Sequence, residues 1–315
     1  MTSPLTLSVI VVNWNVRDVL RDCLRSLQEQ MLMPPGAWEV IVVYNDSKDG
    51  SVEMMKKEFP AAVLLANREN LGFGKANNQA FRICRGQYVL LLNPDTIVLD
   101  HAVDRMLEMM EARRDMAALG CRLLNADGSI QPWTGGYPPS LANVICHFLF
   151  VNKLLPAKIL PRPLYLQREP AQDLEVGWVS GACMLLRKEA LGEEIFDERF
   201  FLYGEDLDLC DRLVRSGWKV VYTPRAQIVH LDGRSLEGQS AEIQVSKLRN
   251  LRQLFAARHG RVSLLLYDVV VAAGFLMRFL AFGVAALLRP GRGYEARAAK
   301  SRQYQAEAFR ALMSR

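Results

Sequence analysis

Short apolar runs, each breaking into a polar cluster and then into a helical pattern, constrain the fold of this chain more than any other feature. Leu7-Ser-Val-Ile-Val-Val12 is continuous, β-branched and too short for a helix; it leads into Asn13-Trp-Asn15 and then Val19, Leu20, Cys23, Leu24 and Leu27, the spacing of one helical face. The same alternation predicts strands over 39–43, 62–66 and 88–92, with helices over 51–58 and 74–84 between them. Strands apolar at successive positions are buried on both faces, as in a parallel sheet covered by helices. The first hundred residues are therefore read as a Rossmann-like, nucleotide-binding half-domain with right-handed crossovers. A second half is read over 101–235: a helix at 100–111, a strand at 118–124, strand-like sequence at 176–186, a helix at 204–216 and a strand at 219–222. Its proline-rich, partly apolar insertion at 135–170 is expected to lie on the surface rather than in the core. Residues 236–315 read as a separate helical segment.

Composition excludes several classes. Half of the 315 residues are apolar and 23% are charged, an ordinary globular balance rather than that of a disordered chain. The six cysteines stand among apolar neighbours with no C-x-x-C pair, which excludes a disulfide framework and a structural zinc and makes them reduced core residues. The net charge of +5 is carried by 289–315 alone, with seven basic and two acidic residues. Such local basicity predicts no nucleic-acid partner. The N-terminal run lacks the length and basic flank of a signal sequence, so a cytoplasmic catalytic part is expected.

In open parallel sheets ligands bind at the carboxyl ends of the strands, and four polar clusters fall there. The first is Asn13-Trp-Asn15. The second, Tyr44-Asn-Asp-Ser-Lys-Asp-Gly-Ser51, leads into a helix whose first amides can receive phosphate or be capped by Ser51. In the third, 70–78, Gly72 and Gly74 allow close backbone approach and Lys75 brings positive charge. The fourth, Leu91-Leu-Asn-Pro-Asp-Thr96, ends a strand with a carboxylate, Asp95, suited to a hard divalent cation that takes its other ligands from diphosphate and water. Gly204-Glu-Asp-Leu-Asp-Leu-Cys-Asp211 sets four acids in eight residues at a helix start, where acids favour the macrodipole, and Asp206, beside Phe200, Phe201 and Tyr203, is the candidate base. His230 follows an apolar run at a strand end, either structural or a ligand.

In this order, Val11-Val-Asn-Trp-Asn15, Asn45 with Ser47 and Asp49-Gly-Ser51, Asn70-Leu-Gly-Phe73, Asn93-Pro-Asp95, Val179-Ser-Gly-Ala182, Phe201-Leu-Tyr-Gly-Glu-Asp206 and Val229-His230 resemble family 2 glycosyltransferases, and within them the rhamnosyltransferase-like branch. The resemblance spans 5–235. It implies an α/β fold of the GT-A type, a mostly parallel sheet flanked by helices, and an inverting, metal-dependent hexosyl transfer with Mg²⁺ or Mn²⁺. By the same resemblance Asp95 holds the metal with help from His230, and Asp206 deprotonates the acceptor. Asn13, Asn15, Asn45, Asp46, Asn70, Gly72, Lys75 and Asn93 frame the nucleotide-sugar, and Trp178, Ser180, Gly181 and Glu205 line the sugar and acceptor side. The leading donor is dTDP-rhamnose and the acceptor a lipid-linked or polysaccharide glycan of the cell envelope. One departure stands out: Tyr44 occupies the position where the family usually has an acid contacting the nucleobase, and Asp46 is the nearest substitute. Two rivals remain. A sugar nucleotidyltransferase would need a glycine-rich N-terminal loop that 11–15 lacks, and a non-catalytic scaffold has no use for Asp95 and Asp206.

The segment 262–288 carries only Asp268 and Arg278 as charges, a length that could span a bilayer. Basic residues flank it on both sides, so both ends favour the same anionic, cytoplasmic membrane surface. That symmetry predicts an interfacial or re-entrant hairpin turning near Gly274, with a homo-oligomer interface as the alternative.

Overall fold

The computed structural model describes residues 5–166, 168–231, 241–290 and 292–313. The strands are β1 (Leu7–Asn13), β2 (Trp38–Asn45), β3 (Val63–Asn67), β4 (Tyr88–Leu92), β5 (Thr96–Val98), β6 (Met116–Leu124), β7 (Gly135–Gly136), β8 (Leu174–Val176), β9 (Trp178–Val179), β10 (Cys183–Arg187) and β11 (Lys219–His230). The helices are α1 (Arg17–Gln30), α2 (Ser51–Glu58), α3 (Phe73–Phe81), α4 (Ala102–Ala112), α5 (Leu141–Phe148), α6 (Val151–Leu154), α7 (Glu205–Arg215), α8 (Ala241–Ala256), α9 (Arg261–Leu288) and α10 (Tyr294–Met313). They form two compact units: Met1–Gly136 with Tyr165–Gln239, and Tyr137–Leu164 with Ser240–Arg315.

The first unit is built on a nine-stranded sheet ordered β3-β2-β1-β4-β10-β6-β11-β5, with β8 on the side of β11. β3, β2, β1 and β4 run parallel, as their unbroken apolar sequences require. β10 enters antiparallel between β4 and β6. Leu20, Cys23, Leu24 and Leu27 of α1 and Val103, Met106 and Met110 of α4 pack into one core with β1, β4 and β10. Each such aliphatic side chain contributes roughly 1.5–3 kcal/mol of burial. All six cysteines are free and five are buried, three of them, Cys23, Cys121 and Cys183, in that core. Strand order reverses between β1 and β4, which opens a crevice at their carboxyl ends.

β11 is longer than its sequence suggests. Pro224 cannot donate to a ladder, so the pattern reads as ending at Tyr222. The chain instead absorbs Pro224 in an irregularity between Thr223 and Gln227 and continues beside β6 to His230.

The second unit revises two expectations. Part of the insertion is core here: Ser140 and Asn143 form a reciprocal cap for α5, and Val144 and Phe148 are buried. Nor does the chain turn at Gly274, because α9 is one helix of 28 residues. A Cβ on Gly274 would stand 2.6 Å from the Phe148 carbonyl oxygen, so this glycine serves close packing of α9 on α5. The reversal comes after Leu288, and α10 returns antiparallel along α9 with Phe275 against Tyr304 and Phe282 against Tyr294. Both charges of 262–288 are satisfied inside the unit: Asp268 accepts from Arg252 at 2.8 and 3.0 Å, and Arg278 donates to the carbonyls of Phe148 and His147.

Candidate active site

Three of the four parallel strands end in asparagine, and these amides knit the crevice floor. Asn13, fully buried, donates to Ser47 Oγ at 3.1 Å and Ser51 Oγ at 2.9 Å, tying β1 to the loop after β2. Asn45 donates to Asn70 Oδ1 at 2.8 Å and accepts from the Leu71 amide at 3.1 Å. Asn67, not singled out by sequence, donates to Asn45 Oδ1 at 3.2 Å and to Gln79 at 2.8 Å. The start of α2 is held by Asp49, which accepts from the Ser51 amide at 3.1 Å and from the Arg17 amide at 2.6 Å, so Ser51 is free of the capping role and bonds Asn13 instead. Asn15 and Lys75 are exposed, Asn15 accepting from the Lys48 amide at 2.6 Å. Tyr44 donates its phenol to the Ser47 carbonyl; burial, with Asp49, Glu53 and Asp46 nearby, raises its pKa, so it stays a neutral phenol. Asp46 stands beside it, half-buried and left-handed at φ 59°.

Beyond β4 the chain turns through Asn93-Pro-Asp95, locked by Thr96 Oγ1 donating to the Asn93 carbonyl at 2.7 Å. β5 then pairs antiparallel with the end of β11, and the register His230 opposite Thr96 brings His230 Nε2 to 3.5 Å from Asp95 Oδ1. Asp95 is 1% exposed, and neither carboxylate oxygen has a hydrogen-bond partner among the described residues. A buried carboxylate without donors is costly unless a cation completes it. No group of three or more His, Cys, Asp or Glu gathers among the described residues. The pair therefore suits a divalent ion that brings diphosphate and water as its remaining ligands, not a resident metal cage.

The third part is linked to this turn through the start of β10, where the Asn93 amide donates to the Ala182 carbonyl at 2.9 Å. Tyr203 and Gly204 both have positive φ, 69° and 93°, and this bend starts α7 so that Asp206 lies in its first turn. Asp206 is half-buried, accepting from the Gly181 amide at 3.2 Å and the Leu207 amide at 2.8 Å. The Phe73 amide donates to the Phe201 carbonyl at 3.0 Å, and a Cβ on Gly72 would stand 2.6 Å from that same oxygen. Only glycine, at φ 79°, permits this approach of the α3 loop to the Asp206 loop.

Residues 8–194 match the family model described as Glycosyl transferase family 2. The chain belongs to that family. N-acetylglucosaminyl-diphospho-decaprenol L-rhamnosyltransferase of Mycobacterium tuberculosis is 29% identical to this transferase over 265 residues, 80% of this chain and 85% of that protein. Rhamnosyltransferase WbbL of Escherichia coli K12 is 27% identical over 218 residues, 66% of this chain and 78% of that one. Among solved structures, mannosyltransferase PcManGT from Pyrobaculum calidifontis, in complex with GDP-Man and Mn²⁺, is similar with a TM-score of 0.59 at 17% identity, covering 99% of this chain and 89% of that one. The fold is GT-A. Asp206 and His230 lie beyond the matched segment, so their candidacy rests on the geometry above.

On the side expected to meet the acceptor, this glycosyltransferase buries Trp178 and Glu205 at 6% and 5% exposure. Ser180 donates its amide to the Thr134 carbonyl at 2.9 Å, next to the Gly181–Asp206 contact. Trp178 meets Tyr165 edge-on at 5.8 Å, and Tyr165 meets Trp133 at 6.0 Å. Trp133 is 60% exposed with φ 64°, an aromatic face in solvent that sequence pattern does not mark. Gln131 also escaped notice: it follows an exposed turn, yet is buried against His230.

Proposed function

We propose that this transferase moves a sugar from a nucleotide donor to a lipid-linked or polysaccharide acceptor by a single, inverting displacement, with L-rhamnose from dTDP-rhamnose as the leading donor. The observation that carries the reading is a buried Asp95 beside His230, with no hydrogen-bond partner among the described residues, and a separately held Asp206 tied towards the same turn through Gly181, Ala182 and the Asn93 amide. Asp95 and His230 Nε2 would hold Mg²⁺ or Mn²⁺, which, when bound, offsets charge on the departing nucleoside diphosphate. Asp206 takes the acceptor proton as its oxygen attacks the anomeric carbon from the face opposite the diphosphate. The Gly181 and Leu207 amides fix the carboxylate for that transfer. The asparagine network, with Asn93, frames the nucleotide-sugar, and Ser180, Gly181 and exposed Trp133 border the acceptor. The choice of sugar draws on the named activities of the two bacterial relatives.

The test is release of nucleoside diphosphate from dTDP-, UDP- and GDP-sugars with and without Mn²⁺ or Mg²⁺, using membrane extract as acceptor. Metal-dependent release from dTDP-rhamnose with an inverted product anomer is expected. A retained anomer, or turnover undiminished in chelator, would remove the mechanism.

The second unit supports membrane attachment. Leu276, Leu280, Val284 and Leu287, 41–86% exposed, lie along one side of α9, with Val262, Leu265 and Val269 continuing that side. A charged helix, α10, packed along α9 disfavours spanning, so the pair lies in the interface on the cytoplasmic face. The full chain should float with vesicles containing anionic lipid, and the combined Leu280→Ser, Val284→Ser, Leu287→Ser variant should not. A chain that ignores vesicles but changes from dimer to monomer in that variant would make the face an oligomer interface instead.

A further inference from the structure

Six hydrogen bonds link a surface turn to His230, and their direction can be read from one end. Asp127 is a carboxylate and can only accept. Ser129 Oγ donates to its Oδ1 at 2.5 Å, and the Ser129 amide donates to the same oxygen at 2.9 Å. Having committed its hydrogen, Ser129 Oγ must accept from Asn125 Nδ2 at 2.9 Å. That fixes the Asn125 amide, whose Oδ1 accepts from Gln131 Nε2 at 3.2 Å. The His230 backbone carbonyl, another obligate acceptor, takes the second hydrogen of Gln131 Nε2 at 3.3 Å. With its nitrogen committed twice, Gln131 can turn only its oxygen to the ring, and Oε1 lies 2.8 Å from His230 Nδ1. Two acceptors cannot face each other at that distance, so Nδ1 carries the hydrogen.

The other side of the ring is consistent with this. Asn93 Nδ2 stands 3.3 Å from His230 Nε2, a geometry that satisfies a bare nitrogen. The anchor is durable near neutral pH, because the Ser129 hydroxyl holds the Asp127 carboxyl below its usual range.

We infer that Asp127, Ser129, Asn125 and Gln131 form a polarity relay that holds neutral His230 as the Nδ1–H tautomer and keeps the Nε2 lone pair on the side of Asp95. Gln131 is thus a positioning residue. In a neutral imidazole only the unprotonated nitrogen can ligate a cation, and the partner of the other nitrogen decides which one that is. Without Gln131 Oε1, nothing described within reach of Nδ1 would choose, and the proton could settle on Nε2, where it would block the metal side. The consequence for metal binding rests on the Asp95–His230 reading above; the tautomer does not.

The chain has four histidines, so nitrogen-15 spectra of histidine-labelled protein, compared with a His230→Ala control, resolve this ring. At pH 8.5 without metal, the wild type should show a protonated Nδ1 and a bare Nε2. Gln131→Leu should shift His230 towards a mixture of tautomers, whereas Gln131→Glu, which keeps an acceptor against Nδ1, should preserve the wild-type form. Both variants lose the donors to Asn125 and to the His230 carbonyl, so a merely structural role predicts that they behave alike. Mn²⁺ affinity in the presence of dTDP, followed by electron paramagnetic resonance, should fall about 10–100-fold in Gln131→Leu. A wild-type proton on Nε2, or tautomer populations unchanged in Gln131→Leu, would overturn the relay. A confirmed tautomer together with Mn²⁺ binding indifferent to Asp95→Ala and His230→Ala would instead overturn the metal reading.

Discussion

Asp206→Asn is expected to lower kcat by about 10²–10⁴-fold, the usual worth of a positioned general base, while leaving the KM for the donor within a few-fold of wild type. That loss corresponds to roughly 3–5 kcal/mol of transition-state stabilisation. The substitution is nearly isosteric, and one amide oxygen can still accept from Gly181 or Leu207, so the loop between Phe201 and α7 should keep its place over Gly72. Removing a charge from a helix's first turn costs only about 0.3–1 kcal/mol of stability, too little to unfold the chain. Steady-state kinetics with donor and acceptor varied separately, beside a thermal melt, check this. A variant retaining more than a tenth of wild-type kcat would show that Asp206 holds the loop and that another group takes the proton.

The expected split between kcat and KM follows from where the side chains are attached. The proposed donor cradle hangs on β1, β2 and β3 through Asn13, Asn45 and Asn67, whereas the Asp206 carboxylate sits on α7 and is held by the Gly181 and Leu207 amides rather than by that asparagine network. Damage to one need not disturb the other.

The parts legible in sequence are those whose physics is local. Leu7–Asn13 and Tyr88–Leu92 are strands because continuous β-branched or aliphatic runs of that length have no other stable use, and the polar residues that end them must face the crevice. The parts that escaped depend on contacts distant in sequence. Pro224 made β11 seem to stop, because the irregularity that accommodates it is visible only beside β6. Gly274 reads as a turn residue until Phe148 stands against it. Gln131 and Trp133 follow an exposed turn and match no periodicity; their importance comes from His230, 99 residues away, and from Tyr165. Tyr44 was visible as a departure, but not its tie to the Ser47 carbonyl, which keeps the phenol against the loop after β2.

Asp95→Asn should separate activity from stability in opposite directions. Wild-type Asp95 is 1% exposed, with both carboxylate oxygens unpartnered among the described residues, and His230 Nε2 stands 3.5 Å away. Leaving a buried acceptor unsatisfied costs about 1–3 kcal/mol, and more when it is charged. An amide of the same shape removes the buried charge, so the metal-free variant should be the more stable protein, by about 1–3 kcal/mol, or roughly 2–4 °C in Tm per kcal/mol for a domain of this size. With Mn²⁺ and nucleoside diphosphate the order should reverse. Saturating ligand at about 100 times Kd adds roughly 2.7 kcal/mol to a protein that binds it, and the variant, lacking the anionic ligand, should gain little. Activity should fall by at least about 10³-fold, because a cation that is not held cannot offset charge on the leaving diphosphate. Melting curves of both proteins, with and without Mn²⁺ and dTDP, are sufficient. If the apo variant melts lower than wild type, the carboxylate is held by interactions within the fold and is no poised metal ligand; if it melts higher yet responds to Mn²⁺ and dTDP as wild type does, the cation sits elsewhere. The crossing of the two curves is what a carboxylate kept for its ligand at the expense of the empty fold must produce.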